Sequence, residues 1–553
     1  MKVPGCMALR VIAVISSLLV SAAAGAASLP TLRLEEATIT ELQAAMSAGR
    51  LTSERLTKFY LKRIRDIDQQ GPAIKSVLTL NPDALALARE SDARRQRGQL
   101  LGPLDGIPVL LKDNIDTGDR MPTTAGSLAL AGAPASRDAT VVEKLRAAGA
   151  VILGKTNLSE WANFRSSSSS SGWSAVGRQT RNPYALNRNP CGSSSGSAAA
   201  VTAGLTVIAL GTETDGSIVC PSAANGVVGI KPTVGLTSRA GVVPISHTQD
   251  TVGPHARTVA DAAIALSIIQ SLSPDARDAA TSTVPLGWQG RTRPAELPRD
   301  YTRFLNADGL RGARLGITRS KISEAPAAVR DAFEQTIETL RAAGATVIDL
   351  DAAGFKFPEA EGEFLVLCYE FRDDLRAYLS TRAGVPMAGK SLADLIEFNK
   401  AHAAGEMPFF GQEIFEMTAA MAPGPDDPQV AFKNSTYRQA IENGRLVGVN
   451  GIDKALGDFS LDAIVAPTTS APWVTEPIYG DRYVFGSSEL AAAPGYPIVH
   501  VPASMVQGLP LGASFFGTAF SEPTLIRVAS GFEAVTRIRA KHPPTFASEL
   551  PRP

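Results

Sequence analysis

The densest chemistry in this 553-residue chain lies between positions 189 and 239, in NPCGSSSGSAAAVTAGLTVIALGTETDGSIVCPSAANGVVGIKPTVGLTSR. Two Gly/Ser-rich turns there offer candidate nucleophiles. Gly192-Ser193-Ser194-Ser195-Gly196 fits the G-x-S-x-G of a nucleophile elbow, which needs a strand immediately before it and Asp, then His, after it. Asn187-Arg188-Asn189-Pro190-Cys191 cannot be a central strand. His247, His255, His402, His500 and His542 stand in no catalytic context. No Lys-Ser/Thr pair closes either turn, which excludes a phosphate loop. A serine hydroxyl is a poor nucleophile until a base takes its proton. Without histidine, that base can be a lysine, provided it is neutral. An exposed lysine titrates near 10.4, and burial lowers that value by several units.

Three lysines near these motifs are candidates for such a base. Ile107 to Leu111 (IPVLL) reads as a buried strand that ends at Lys112, so burial of that side chain is expected. Lys155 and Lys231 are rival bases, each read as a turn lysine close to a glycine. Ala198 to Glu213 reads as a small-residue helix followed by a strand. Thr40 is expected to cap a first helix and Ser53 a second, with Leu56, Tyr60, Ile64 and Ile67 on one face. A third helix opens at Asn81-Pro82 and stops at Gly98. Val141–Thr156 and Val329–Leu350 share a helix–Gly–strand grammar, both with LRAAGA. Such alternation predicts an α/β fold. Residues 285–312 read as a surface connection between two halves, and 400–430 as part of a cover on the substrate side. The serine run 166–171 reads either as solvent-exposed loop or as pocket edge.

Taken in order, GIPVLLKDNIDT, GSSSGSAAA, GTETDGSIVCP and GVVGIKPT resemble the amidase signature family. The likeness continues through DTVGP, ARTVADAA, APTTSAP and VPASMVQGLPLGASFFG, and so spans nearly the whole chain. SEWANFR, SGWSAVGRQTRNPY and GTETDGSIVCP are most similar to the family's bacterial peptide amidases. The resemblance implies a large, mixed, twisted sheet with helices on both faces. It implies Ser217 as nucleophile, Ser193 as a bridging serine on a cis peptide, and Lys112 as base. It also implies that the backbone N–H groups of Thr214, Asp215, Gly216 and Ser217 hold the oxyanion. Many members carry Gly-Gly before the nucleophile; here the pair is Asp215-Gly216. Ser194, Ser195 and Ser197 are then capping or hydrogen-bonding groups.

The implied activity is hydrolysis of a carboxamide through an acyl-enzyme, on small amides or the C-terminal amide of peptides. The resemblance implies no cofactor and no metal. A fatty-acid or aryl amide hydrolase of the same family is the main alternative. A glutamine-tRNA amidotransferase component is harder to reconcile with an export signal. A non-catalytic amide-binding protein sits badly with the presence of Lys112, Ser193 and Ser217.

Lys+Arg and Asp+Glu balance at 54 each, and aromatics are 6%, so neither a basic face nor a base-stacking surface for nucleic acid is expected. Lys2 and Arg10, the apolar run 11–20 and the small residues 21–27 form the pattern of a secretory signal peptide, drawn at 1–26, with the amidase domain at 27–553 and its signature core at about 105–260. A secreted or periplasmic protein with no stable membrane partner after cleavage is expected. Cys6 would leave with the signal. The spacing of Cys191, Cys220 and Cys368 matches no zinc motif. Cys368 reads as a small buried residue. A bridge between Cys191 and Cys220 is left open.

Overall fold

The computed structural model describes Met1, residues 32–319 and residues 322–550. The expected signal segment lies outside the described residues. Leu34–Pro553 forms one compact unit.

Thirteen strands are described: β1 (Val77–Leu80), β2 (Pro108–Lys112), β3 (Val151–Thr156), β4 (Trp173–Ser174), β5 (Arg178–Gln179), β6 (Ile208–Glu213), β7 (Val228–Lys231), β8 (Thr251–Ala256), β9 (Arg314–Ile317), β10 (Thr346–Asp349), β11 (Ala463–Pro467), β12 (Ile498–Val506) and β13 (Leu509–Phe516). β4 and β5 pair alone; the other eleven form one sheet in the order β1-β3-β2-β6-β8-β7-β12-β13-β11-β9-β10. The sheet is mixed: β2 runs parallel to both β3 and β6, whereas β6–β8, β8–β7 and β7–β12 are antiparallel. β2 sits deep within it, and every residue of PVLLK is buried. A continuous apolar run is what a strand covered on both faces requires. The expected α/β architecture is therefore the observed one.

Nine helices frame the argument: α1 (Ile39–Ser47), α2 (Ser53–Arg63), α3 (Ala84–Gln96), α4 (Thr140–Ala147), α5 (Ser195–Thr202), α6 (Val219–Ala224), α7 (Val259–Ile269), α8 (Ala327–Ala342) and α9 (Glu363–Ser380). The two helix–Gly–strand units are present as α4–β3 and α8–β10. On α8, Val329, Phe333, Ile337 and Leu340 are buried, as their spacing predicts. Both expected caps move. Thr38, not Thr40, caps α1: its Oγ1 accepts from Glu41 N at 3.2 Å, and Glu41 Oε2 accepts from Thr38 N at 2.9 Å. The sequence carries that capping box as Thr-x-x-Glu. Thr52, not Ser53, caps α2, because the Ser53 hydroxyl instead donates to Gly106 O at 2.7 Å.

Residues 285–312 do connect the strands up to β8 with those from β9, but Leu286, Tyr301 and Leu310 are buried along the way. Residues 400–430 do not cover the cavity described below. Arg165 donates to the carbonyls of Glu406, Phe410 and Gly411, and Ser166 and Ser167 bond Glu413. The segment therefore buttresses the serine loop from behind. None of the described helices is long and apolar enough to cross a membrane.

Because β2 carries Lys112 at its end, its packing sets both stability and the site. Replacing fully buried Leu110 by Ala should cost ~3 kcal/mol through lost burial and the cavity left behind. A fall in Tm of several degrees by calorimetry is the expected result.

Candidate active site

Lys112 reaches the end of β2 with its side chain 0% exposed. Its Nζ lies 2.8 Å from Ser193 Oγ, 2.7 Å from Thr212 Oγ1 and 3.3 Å from Thr212 O. Asn114 Nδ2 donates to the same threonine hydroxyl at 3.0 Å. Among the described residues no carboxylate forms an ion pair with Lys112. Burial pulls its ammonium down to about 7, against the more distant pull of Asp250 and Glu213. The amine is thus available in its neutral form near neutral pH.

The rival lysines are strand residues, not turn residues, and both are otherwise engaged. Lys155, in β3, pairs with Asp113 at 3.0 Å and donates to Thr123 Oγ1. Lys231, ending β7, donates to Pro232 O at 3.2 Å; burial lowers it to about 8. Among the described residues no histidine hydrogen-bonds Lys112, Ser193 or Ser217. His255 and His500 are buried against Ser222 and Thr468, and burial holds both neutral by lowering them to about 3.

The first serine turn enters α5. The Gly192–Ser193 peptide is cis. A Cβ at Gly192 would stand 2.1 Å from Ser159 Oγ, so no larger residue fits. Ser159 N donates to Ser193 O at 3.1 Å, and Ser195 Oγ to Cys191 O at 2.6 Å. Ser194 Oγ and Ser197 Oγ bond the carbonyls of Thr212 and Leu210 on β6. These three serines are hydrogen-bonding groups, as expected, although Ser194 makes no side-chain cap to α5. Ser194 N donates to Ser217 O at 3.1 Å, which fastens the first turn to the second.

The second turn follows β6. Thr251 Oγ1 donates to Glu213 O at 3.0 Å, and Gln249 Nε2 to Thr214 O at 3.4 Å. The Thr214 hydroxyl donates to Asp250, whose carboxyl also receives the N–H groups of Ile245 and Ser246. The carbonyl side of the turn is thereby tied down. Buried Glu213 collects the N–H groups of Ile218 and Val219 at 2.7 and 2.9 Å, and draws on that of Gly216. Among the described residues no hydrogen bond occupies the N–H groups of Asp215 or Ser217. Gly216 has φ +80°, the conformation that turns the chain toward α6 and that only glycine adopts freely.

Gly192, Thr214, Asp215, Gly216 and Ser217 all line one cavity of about 330 Å³. Phe164, Phe364, Leu367, Trp473 and Tyr483 line it too, with Ser171 from the serine run. Asp481 ties its rim together, accepting from Ser171 N, Ser171 Oγ, Asn189 Nδ2 and Trp473 Nε1. Sequence reading missed Thr212 and Asp481. Thr212 sits inside the serine motif, but only the pairing of β2 with β6 shows what it faces. Asp481 lies in an irregular segment with no periodicity to interpret.

Cys191 and Cys220 form a disulfide, settling the question left open, and both line the cavity. Cys368 is free and buried, and burial pushes its thiol up to about 12. The disulfide spans 29 residues. In the chain-entropy account its loss costs about 3–4 kcal/mol. The Cys191→Ser/Cys220→Ser double variant should therefore melt several degrees lower, and it should lose activity before it unfolds because both serine turns are released.

The Amidase family profile matches residues 55–526. The native peptide amidase of Stenotrophomonas maltophilia is 49% identical and superimposes with a TM-score of 0.82, over 92% of this chain and 99% of that one. A probable amidase of Arabidopsis thaliana is 42% identical over 530 residues, 93% of each chain. A putative amidase of Schizosaccharomyces pombe is 38% identical over 530 residues, 92% of this chain and 86% of that one. A non-catalytic binding protein is thereby set aside: the chain belongs to the amidase signature family and is an amide-hydrolysing enzyme.

Proposed function

We propose that this enzyme removes the C-terminal amide of peptides through a Ser217–Ser193–Lys112 relay. The observation that carries the reading is the 2.8 Å contact between Ser193 Oγ and a buried Lys112 amine that has no carboxylate partner among the described residues. Neutral Lys112 takes the Ser193 proton while Ser193 takes that of Ser217. Ser217 Oγ forms its bond to the amide carbon, and the oxyanion is met by N–H groups of the 214–217 turn. Collapse breaks the C–N bond, and the Lys112 ammonium returns its proton through Ser193 to the departing ammonia. Water, activated by the same relay, then releases the acid and restores Ser217. The likeness to a peptide amidase at 49% identity supports the substrate, as does a cavity of about 330 Å³ with aromatic walls, which suits a terminal residue and its carboxamide.

Export belongs to the same proposal. The basic, apolar and small-residue pattern of residues 2–27 supports it. So does the Cys191–Cys220 bond, since disulfides persist in oxidising compartments.

Mass spectrometry of amidated peptides incubated with the enzyme should show NH2 replaced by OH at the C-terminus, with internal bonds intact. Turnover of aryl or fatty-acyl amides alone would replace the peptide reading. Ser217→Ala should lower kcat by at least about 10⁴-fold while the fold persists. Because burial lowers Lys112 to about 7, its basic form accumulates as pH rises. kcat/KM should therefore climb about tenfold per unit below that value and level off above it. A flat profile through that range would rule Lys112 out as the base.

A further inference from the structure

The acid–base character of the cavity wall points to which amides it accepts. Among the described residues, the side chains lining it that can ionise are Asp215, Asp481 and Tyr483; no Lys, Arg or His lines it. Asp481 meets only neutral donors, from Ser171, Asn189 and Trp473, and no described cation lies within ion-pair distance of it. Asp215 stands two residues before Ser217, exposed where it lines the cavity, and takes a hydrogen bond from the Ser488 hydroxyl. Of the charged groups that act on Asp215 from outside the lining, Glu213 and Glu489 add negative charge and buried Lys231 opposes them; neither Lys112 nor Lys231 lines the cavity. An acyl group seated on Ser217 therefore shares the cavity with two carboxyl groups and no cationic lining side chain.

We infer that Asp215 makes the cavity read charge: it accepts amides whose neighbouring side chain is cationic or neutral, and rejects those with a carboxylate beside the scissile bond. The inference rests on Ser217 being the nucleophile. It also bears on turnover, because hydrolysis converts a neutral carboxamide into a carboxylate in the cavity that Asp215 lines, and like charge disfavours its retention. Partial enclosure by the cavity, with the negative charge of Glu213 and Glu489, pushes the Asp215 carboxyl up to about 7. The discrimination therefore strengthens as pH rises through that value and the carboxylate forms.

The test compares N-acetyl-arginine amide, N-acetyl-leucine amide and N-acetyl-glutamate α-amide as substrates. Near pH 8.5, kcat/KM for the arginine amide should exceed that for the glutamate amide by about tenfold or more, the size of one unscreened charge contact in a partly solvated site. The ratio should shrink several-fold near pH 6, where arginine and glutamate side chains keep their charge and Asp215 loses its own. In Asp215→Asn the ratio, read within that enzyme, should fall toward one and keep only the pH dependence that Lys112 contributes. The product acid should also inhibit this variant more strongly than the wild type. Equal turnover of the arginine and glutamate amides by the wild type, or an unchanged ratio in Asp215→Asn, overturns the inference. If Asp215→Asn does not fold, Asp215→Ser is read in the same way, because Lys112 changes charge over the same pH range as Asp215 and the wild-type series alone does not separate the two. Failure to hydrolyse even the leucine amide would instead strike the proposed function, so the two failures are distinguishable.

Discussion

A primary amine held away from water and away from any carboxylate is the condition on which this site depends. Lys112 is fully enclosed, and its nearest partners are a serine hydroxyl and the hydroxyl and carbonyl of one threonine. A buried lysine usually finds an acid, as Lys155 does with Asp113 at 3.0 Å. Lys112 is denied one. Its neighbours satisfy hydrogen bonds without stabilising the ammonium, so desolvation prevails and the amine can be a base. Two lysines on adjacent strands thus take different roles because one of them has a carboxylate beside it.

The sheet exists, in functional terms, to hold that condition. β2 brings Lys112 in from one side, and β6 delivers Thr212 and then the turn with Ser217. α5 starts at the other serine turn, and the hydroxyls of Ser194 and Ser197 are hydrogen-bonded to β6 carbonyls. Glu213 and Asp250, both buried, are committed to backbone N–H groups of neighbouring segments. They shape the turn, and at their distance they only moderate the shift at Lys112.

Much of this is legible in the residues. The run IPVLLK carries its own burial, and the two LRAAGA units announce helix–Gly–strand pieces. The histidines can be dismissed from their surroundings alone. What escapes reading depends on chain pairing. The box at Thr38 is masked by a nearby threonine, because capping signals two residues apart compete. The place of residues 400–430 behind the serine loop follows from Arg165, whose guanidinium gathers three carbonyls there. No periodicity foretells such a contact. Asp481 is similar: an acid in an irregular segment becomes the knot of a rim only once distant stretches meet.

The Cys191–Cys220 bond closes a covalent ring that contains α5, β6 and both serines. Thr212 is on that ring as well, so Lys112 is the one member of the constellation that comes from outside it. Its placement then reduces to a single alignment, Leu111 beside Leu210 in the parallel pairing of β2 with β6. Side chains alternate faces along a strand. A slip of one residue between those two strands would send the amine to the opposite face of the sheet and leave the ring intact but without the base of the proposed relay.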